Sequence, residues 1–504
     1  MKMLLKLLCA LIAGLVIGGL VMYSTPVQTK LSMLKPWKER HAEAKGQLLA
    51  SYGFPYVFNY FLLNEWGSPA TEGKNSIVSD TLNKFGHTRE LLTADYRNGG
   101  SPNNDTLYSV AWMYVEKEPI ILTVPPADRA DRYWTVQIAS FESDTYTYVG
   151  MRTTGMDGGS YAIVPPGWRG VLPEGVELLA EAPTRWSFLL GRILADGPQD
   201  YKVAHTMQDQ FRLTALSNWG ASEHQIPYYP PVDTRFAKYR KMFADRSIGI
   251  RGLIKKFIAE DSQPYFDIMR HAMTLSGIPA DERFIQYQFE EVGLTLDEEI
   301  ALDPSTLEGR NRGLSLGLLN TIKAMKDNYL CRIVNGWRIT KTNLGRLGDD
   351  GDYHGRAALQ SLGGIVANDP EEAVYLVLTL DPTQEGSDRP DGSKYSYKVH
   401  FDKEQLPNVK AFWSMTAYDT TNNFVINDYN RYSIGDRTES LQYDEEGGLT
   451  IYMSAEEPRN KSLKGNWLPI PEAGYYLIFR AYLPGKEIVE GRWAPAPLQL
   501  WGNM

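Results

Sequence analysis

The chain has 504 residues, which is too long for one ordinary hydrophobic core, so two or three domains are expected. Its 52 basic and 61 acidic residues leave a net charge of −9, which argues against a nucleic-acid partner. The two cysteines are Cys9 and Cys331, so the body of the chain has no pair for a disulfide. These counts exclude a basic nucleic-acid-binding protein and a small disulfide scaffold.

The N-terminus predicts a membrane segment. Met1–Lys6 carries two lysines, and Leu7–Tyr23 is an uncharged, mostly apolar run with no small-x-small cleavage site after it. A retained signal anchor is therefore favoured over a cleaved signal peptide. We expect a single-pass protein of the bacterial inner membrane with its body in the periplasm; the alternative is secretion to the periplasm after cleavage.

The segments that follow predict strands, then helices, then strands again. Short β runs with turn residues between them extend from Asp105 to Ile193, and helical periodicity begins at about Asp200. Strand patterns return from Glu372 onward. The order predicts a multi-domain α+β fold that is mainly β. The predicted divisions are the signal segment 1–24, an N-terminal domain 25–195, a helical middle domain 196–365 and a C-terminal domain 366–504.

Three helices of the middle domain are predicted from particular signals. Lys202–Leu216 and Arg235–Ala244 have amphipathic periodicity, and Ser305–Asn328 opens with Ser305 three residues before Glu308. That spacing is typical of a capping box at a helix N-terminus.

Two segments about 280 residues apart share one pattern, whereas solenoid repeats have periods of ~20–50 residues. Each has an aromatic-Trp strand, a polar turn, a second strand, a Gly-Gly turn and a third strand; one lies around Trp134 and the other around Trp413. The pattern predicts a duplicated β domain. Trp134 and Trp413 are then expected on equivalent strands, facing their respective cores.

Catalytic and nucleotide-binding motifs give no assignment. The sequence has no P-loop and no dinucleotide fingerprint between a strand and a helix. The seven histidines show no local zinc-binding spacing. Catalytic residues and cofactors therefore stay unknown from the sequence.

Oxygen-rich turns are the first group of candidate binding residues. Asn103, Asn104 and Asp105 lead directly into the first β run. Amide and carboxylate oxygens can bind sugar hydroxyls or calcium, and a second such group, between two late strands, gives the metal candidates Asp419, Asn423 and Asp428. The competing interpretation is that these residues only stabilise their own turns.

Arginine and tyrosine form the second group. Tyr353 and Arg356 precede the second β region, and Arg431, Tyr432 and Asp436 lie within it. An arginine beside tyrosines in a polar loop suits an anionic or hydroxylated ligand. We therefore predict one ligand pocket formed by the residues Asn103, Asn104, Asp105, Tyr353, Arg356, Arg431, Tyr432 and Asp436.

A carboxylate pair is a further possibility within this set. Asp105 with Asp419 or Asp436 could serve as the two acids of a glycosidase-like mechanism, if folding brings them to the required separation.

Several of these strings resemble a known bacterial family. Ser101–Ser109, Arg132–Trp134 and Gly191–Asp209 resemble domain of unknown function 1254. Asn430–Arg437 resembles domain of unknown function 1214, as do Gly448–Tyr452, Asn466–Pro469, Arg480–Pro484 and Gly491–Pro495. The resemblance implies an Ig-like β-sandwich, a helical middle and a jelly-roll-like β-sandwich in an exported envelope protein. It implies no settled activity and no catalytic residues.

Three functions stay open at this stage. The protein could bind a small molecule, sugar or lipid between its β domains, or it could be a periplasmic hydrolase or lyase that uses carboxylates or a metal. It could also be a structural or assembly protein, with Gly14 and Gly18 supporting a homo-oligomer through close helix approach.

Overall fold

A computed structural model describes residues 36–67, 80–97, 100–227, 249–296, 299–362, 364–381 and 389–502. The predicted membrane segment Leu7–Tyr23 and the predicted helix Arg235–Ala244 lie outside these ranges. Within them, no helix is both long and apolar enough to cross a bilayer. The fold is multi-domain and mainly β, with helices, as the sequence predicts.

Helices and strands have the following bounds. The helices are α1 Trp37–Gly67, α2 Tyr201–Gln208, α3 Gly249–Ala259, α4 Gln263–Ser276, α5 Arg283–Phe289, α6 Pro304–Lys326, α7 Tyr353–Leu362 and α8 Lys486–Val489. The first strands are β1 Gly86–His87, β2 Thr106–Tyr114, β3 Ile120–Val124, β4 Trp134–Ser140, β5 Thr145–Gly150, β6 Gly159–Val164, β7 Glu177–Glu181, β8 Trp186–Leu194 and β9 Arg212–Ala215. The later strands are β10 Cys331–Val334, β11 Trp337–Thr340, β12 Ala373–Leu378, β13 Ser396–Phe401, β14 Val409–Asp419, β15 Ser433–Gly435, β16 Leu449–Ser454, β17 Trp467–Pro469, β18 Tyr475–Pro484 and β19 Gln499–Trp501.

The N-terminal β unit, defined as strands β1–β9, contains two sheets around one hydrophobic core. The larger sheet has the order β1-β2-β8-β4-β5, and the smaller has the order β7-β6-β3-β9. Neighbouring strands are antiparallel except for β6 and β7, which are parallel. Apolar side chains of both sheets, such as Ile138 and Leu122, meet in this core.

The C-terminal β unit, defined as strands β10–β19, repeats this topology. Its sheets have the orders β10-β11-β12-β18-β14-β15 and β17-β16-β13-β19, and its parallel pair is β16 with β17. Strands β2–β9 therefore correspond one by one to strands β12–β19. The duplication predicted from the sequence is confirmed by the strand order.

The register of the central strands shows the same correspondence. Trp134 directly precedes the residue of β4 that pairs with Arg192 of β8. Trp413 directly precedes the residue of β14 that pairs with Arg480 of β18. Both indoles are buried in the cores of their own units. The prediction that the two tryptophans are equivalent and inward-facing is confirmed.

Two glycines mark a close approach that the duplication has kept. Gly150 ends β5 and Gly435 ends β15. A Cβ atom at Gly150 would overlap the backbone oxygen of Trp134, and one at Gly435 would overlap that of Trp413. The neighbouring strands are therefore too close at both positions for any side chain.

Buried arginines connect the larger sheets of the two units, and we call this contact region the junction. Arg192 of the N-terminal unit donates to Asn368 Oδ1, just before β12, at 3.3 Å. Arg480 of the C-terminal unit donates to the Ser101 carbonyl, shortly before β2, at 3.1 Å. Each arginine is nearly inaccessible to solvent and uses a hydrogen-bond acceptor from the other half of the chain.

Two ion pairs also cross the junction in reciprocal fashion. Asp105, immediately before β2, accepts from Arg437, which follows β15, at 2.8 Å. Glu372, immediately before β12, accepts from Arg152, which follows β5, at 2.7 Å. The crossed pairs fix the relative orientation of the two β units.

The helices pack around α1 and cover another part of the larger N-terminal sheet. Trp112 of β2 and Phe188 of β8 share one core with apolar residues of α1, α4 and α6. Gly309, Gly313 and Gly317 form a stripe on α6 at helical spacing, and a Cβ at any of them would overlap the backbone of α1. Small residues thus let the two longest helices approach each other closely.

Some predicted element bounds differ from the structure. The predicted helix Lys202–Leu216 ends at Gln208 and continues as β9, because this segment pairs with β3. The predicted range 196–365 also contains β10 and β11, which extend the larger C-terminal sheet. Helix α6 is capped by Asp303, whose side chain accepts from two backbone N–H groups, instead of by Ser305.

We expect Gly313→Ala to destabilise the protein by about 1–3 kcal/mol, because its methyl group would push α6 away from α1. Urea denaturation measures the free energy of unfolding. Gly502→Ala is the control, since a Cβ there meets open space. Equal stability of Gly313→Ala and the wild type would show that the helices do not pack this closely.

Candidate ligand-binding site

A cleft of about 680 Å³ opens where the two β units meet. Both units contribute side chains to its wall, and most of them are polar. The lining residues are Asn104, Asp105, Arg129, Asp131, Leu194, Ala195, Asp196, Gly197, Gln199, Ala411, Ser433, Arg437 and Glu439. We call this site the junction cleft.

A chain of ion pairs runs along the wall of the junction cleft. Arg437 bridges Asp105 at 2.8 Å and Asp196 at 2.7 Å, and Asp196 also accepts from Arg129 at 2.5 Å. The second oxygen of Asp105 accepts from the Ser414 hydroxyl at 2.7 Å. These contacts orient the charged groups in advance of any ligand.

Two carboxyl groups near the junction cleft have opposite pKa shifts. Burial opposes ionisation of Asp196, but hydrogen bonds from Arg129 and Arg437 outweigh it, so its pKa lies below the usual range. Asp436 keeps contact with solvent, yet desolvation of its carboxyl raises its pKa to about 6, and the Asp105 carboxylate adds to the rise. Of these two residues, only Asp196 lines the junction cleft, while Asp436 accepts from the Trp413 backbone N–H at 3.2 Å.

Two buried polar atoms of the lining residues have no hydrogen-bond partner among the described residues. These atoms are Asn104 Oδ1 and Arg437 Nε. One is an acceptor and the other is a donor. Because buried polar atoms are usually hydrogen-bonded, these two atoms are exceptions among the residues of the junction cleft.

The predicted residue Asn103 has a structural contact in the turn before β2. Its Oδ1 accepts from the Asp105 backbone N–H at 2.6 Å, and its Nδ2 donates to the Tyr482 hydroxyl at 2.8 Å. Asn103 therefore positions Asp105 and ties the turn to the C-terminal unit. Asn104 and Asp105 themselves line the junction cleft.

The predicted residues Arg431 and Tyr432 lie in the loop before β15. Arg431 donates to the backbone oxygens of Lys464 and Trp467, at 2.6 and 2.8 Å, and so connects this loop to the neighbouring segment. Tyr432 is buried, and its hydroxyl donates to Asn430. A ligand-binding role of either residue stays a prediction.

Tyr353 and Arg356 lie on α7, among a different set of residues from those of the junction cleft. Arg356 is buried, and its Nη1 donates to the Asp144 carboxylate at 2.5 Å, while Glu282 lies 3.8 Å from the same nitrogen. The Tyr353 ring is 5.1 Å from the guanidinium carbon of Arg356. We call these residues, together with Glu142, the acid–arginine cluster.

Glu142 lies in the turn between β4 and β5 and is 3% exposed. Burial raises its pKa to about 8, the Glu282 carboxylate adds to the rise, and Arg356 opposes it. Its Oε2 and the Nε and Nη2 of Arg356 have no hydrogen-bond partner among the described residues. Burial thus favours the protonated form of Glu142, which can donate a hydrogen bond.

The calcium candidates have protein partners in the structure. One oxygen of Asp419 accepts from the backbone N–H groups of Thr421 and Asn423, and the other accepts from Arg97 at 2.8 Å. Asp428 is exposed. Within the described ranges, no group of three or more His, Cys, Asp or Glu side chains has the geometry of a metal site. The contacts of Asp419 are those of a side chain that stabilises its own turn.

Sequence reasoning missed Arg129 and Asp196, and it placed Arg437 only beside the predicted loop. The duplication of the β unit is the signal that could have identified Arg437. Arg437 follows β15 by the same interval as Arg152 follows β5. Arg437 pairs with Asp105 before β2, and Arg152 pairs with Glu372 before β12, the corresponding strand.

We expect Glu142→Gln to flatten the pH dependence of stability. The pKa of Glu142 rises from 4.5 to about 8 on folding, so its contribution to stability is complete below pH 4.5 and is lost as the pH rises to about 8. Glutamine stays neutral at every pH, so the stability of the variant does not fall at this position as the pH rises. Thermal unfolding between pH 5 and about 9 should show a smaller loss for the variant. Glu445→Gln, at an exposed position, is the control; equal pH profiles for wild type and Glu142→Gln would contradict the assignment.

Comparison with solved structures shows the fold that the chain shares. The VPA0106 protein from Vibrio parahaemolyticus is 24% identical with a TM-score of 0.66, and the match covers 92% of this chain and 100% of that chain. An uncharacterised protein from Burkholderia cenocepacia is 14% identical with a TM-score of 0.34, over 80% of this chain and 78% of that one. The first likeness shows a common fold, and the second is too weak for an argument. Comparison with curated proteins gave no match.

Two family models match the two β units. The model described as protein of unknown function DUF1254 matches residues 82–215, which end with β9. The model described as protein of unknown function DUF1214 matches residues 372–486, from Glu372 to the first residue of α8. The chain therefore contains a DUF1254 match in its N-terminal part and a DUF1214 match in its C-terminal part, as the sequence resemblance predicted.

Proposed function

We propose that the protein binds a small polyhydroxylated molecule, such as a mono- or disaccharide, in the junction cleft. The observation that carries this proposal is the convergence of Asp105, Asp196, Arg129 and Arg437 from two units on one cleft. Its volume of about 680 Å³ lies within the range of ~300–1,000 Å³ for small-molecule sites.

The charges of the wall favour hydroxyl groups over an anionic ligand. Four acidic side chains line the junction cleft, Asp105, Asp131, Asp196 and Glu439, against the two arginines. The acids would repel an anion, whereas carboxylates accept and guanidinium groups donate the hydrogen bonds of neighbouring hydroxyls. The unpartnered Asn104 Oδ1 and Arg437 Nε offer the same combination of acceptor and donor.

We also propose a β-sandwich for each unit, since two sheets share one core in both. The sequence predicts an Ig-like sandwich for the first unit and a jelly-roll-like sandwich for the second. The equal strand orders support one type of sandwich for both. In either case the junction cleft is formed by the segments that flank strands, where rigid β scaffolds commonly carry ligand sites.

We further propose that Leu7–Tyr23 anchors the protein in a bacterial inner membrane and that the β units lie in the periplasm. The support is the uncharged apolar run that follows a short basic start. The junction cleft would then be open to periplasmic solutes.

The duplication provides a matched pair of variants for the binding test. Arg437→Gln breaks two ion pairs across the junction and Arg152→Gln breaks one, but only Arg437 lines the junction cleft. Isothermal titration with a panel of monosaccharides, disaccharides and polyols identifies the ligand. We expect Arg437→Gln to weaken its binding at least about tenfold, the effect of losing ~1.4 kcal/mol of charge-assisted hydrogen bonding.

Arg152→Gln should keep the wild-type affinity. Equal losses in both variants would show that the ion pairs act only on the fold. No binding by any member of the panel would contradict the proposed ligand class.

A second candidate function is hydrolysis of a glycosidic bond. It is favoured by Asp436, whose pKa of about 6 suits a general acid, and by the Asp105 carboxylate that contributes to that shift. We expect Asp436→Asn to abolish cleavage of nitrophenyl glycosides, and the wild-type rate to fall as the pH rises through about 6. Asp428→Asn, at an exposed position, is the control. If the protein binds a glycoside without cleaving it, the hydrolase function is wrong and only the binding function remains.

A further inference from the structure

Helix α1 has an exposed apolar face in its first three turns. Trp37, Ala44 and Leu48 lie on one side of the helix, because their spacing follows the helical repeat. Trp37 is 65% exposed and Leu48 is 63% exposed, which is unusual for large apolar side chains on the same face.

Helix α5 extends this face. Phe284 is 52% exposed and Tyr287 is 75% exposed. The two helices are held side by side because Lys45 of α1 donates to the backbone oxygen of Gln288, at the end of α5. We call the exposed large apolar side chains of these two helices, Trp37, Leu48, Phe284 and Tyr287, the apolar helical surface.

We infer that the apolar helical surface rests on the lipid bilayer in which the chain is anchored. The inference depends on the proposed membrane anchor Leu7–Tyr23. Only residues 24–36 separate that segment from α1. Even fully extended, these 13 residues span at most about 45 Å, so α1 begins within that distance of the membrane.

The side chains at this end of α1 have the chemistry of a membrane interface. Tryptophan and tyrosine are enriched at the headgroup level, where an amphipathic ring can contact both lipid and water. Lys38 and Arg40 are exposed beside Trp37 and can meet lipid phosphates. The nearby Glu291 carboxylate is paired with His41 and Lys45, which reduces its repulsion from an anionic headgroup. A lipid surface therefore matches the exposed apolar side chains and the cations at the start of α1, while the exposed Asp281 and Glu290 flank α5.

The full chain, reconstituted in phosphatidylcholine vesicles with brominated acyl chains, tests the inference. Emission from Trp37 is obtained as the difference between the wild type and Trp37→Phe. The matched control is the difference between the wild type and Trp501→Phe, since Trp501 lies on β19, far along the chain in the C-terminal unit. We expect Trp37 emission to fall at least about twofold in brominated vesicles relative to ordinary ones, with Trp501 emission unchanged.

Three other outcomes would overturn the inference, and they differ in what they say about the anchor. If the chain stays in the vesicles after a carbonate wash but Trp37 is quenched by aqueous acrylamide alone, the anchor holds and the surface faces water. If Trp37 is shielded from both quenchers, the surface is covered by protein, such as a second copy of the chain. If the wash removes the chain, the proposed anchoring itself fails.

Discussion

The arrangement of the molecule depends on two arginines that neither β unit could bury alone. Removing a guanidinium group from water costs several kcal/mol unless its N–H groups find acceptors. Arg192 finds one of its acceptors on Asn368, and Arg480 finds one on Ser101, so each arginine takes an acceptor that lies outside its own β unit. Separating the units would leave both cations without these acceptors. The duplicated halves are therefore expected to behave as one folded body.

The crossed ion pairs show how a duplicated fold can acquire a single site. Arg152 and Glu372 form one pair, and Glu372 also accepts from the Tyr133 hydroxyl at 2.9 Å. At the equivalent position, Arg437 and Asp105 form a pair that extends to Asp196 and lines the junction cleft. The two ion pairs differ because the segment after β8 provides Asp196 beside Arg437. The Arg152–Glu372 pair is structural, whereas the Arg437–Asp105 pair presents charged groups to the junction cleft.

Local features of the structure could be predicted from the sequence, whereas contacts between distant segments could not. Trp134 and Trp413 were predictable because strand and turn patterns are local and were repeated. Asn104 and Asp105 were recognisable as an oxygen-rich turn before a strand. Arg129 and Asp196 carry no local signal, since their importance comes only from the way the two units pack.

Arg356 illustrates the opposite error. Its polar neighbourhood in the sequence predicts a loop site shared with Asp105, but α7 packs against α1 and places its guanidinium beside Asp144. The packing of α7 against α1 sets the position of Arg356, and the spacing of residues in the sequence does not reveal that packing. The contacts of Arg431 were also not predictable, because its acceptors are backbone oxygens that no side-chain pattern reveals.

The central claim is that reciprocal contacts across the junction hold the two β units together, and double-mutant cycles measure this most directly. One cycle uses Arg152→Ala and Glu372→Ala, and the other uses Arg437→Ala and Asp105→Ala, with the free energy of unfolding as the readout. We expect a favourable coupling energy of ~0.5–3 kcal/mol in both cycles. Additive effects in both cycles would show that the ion pairs do not hold the two β units together.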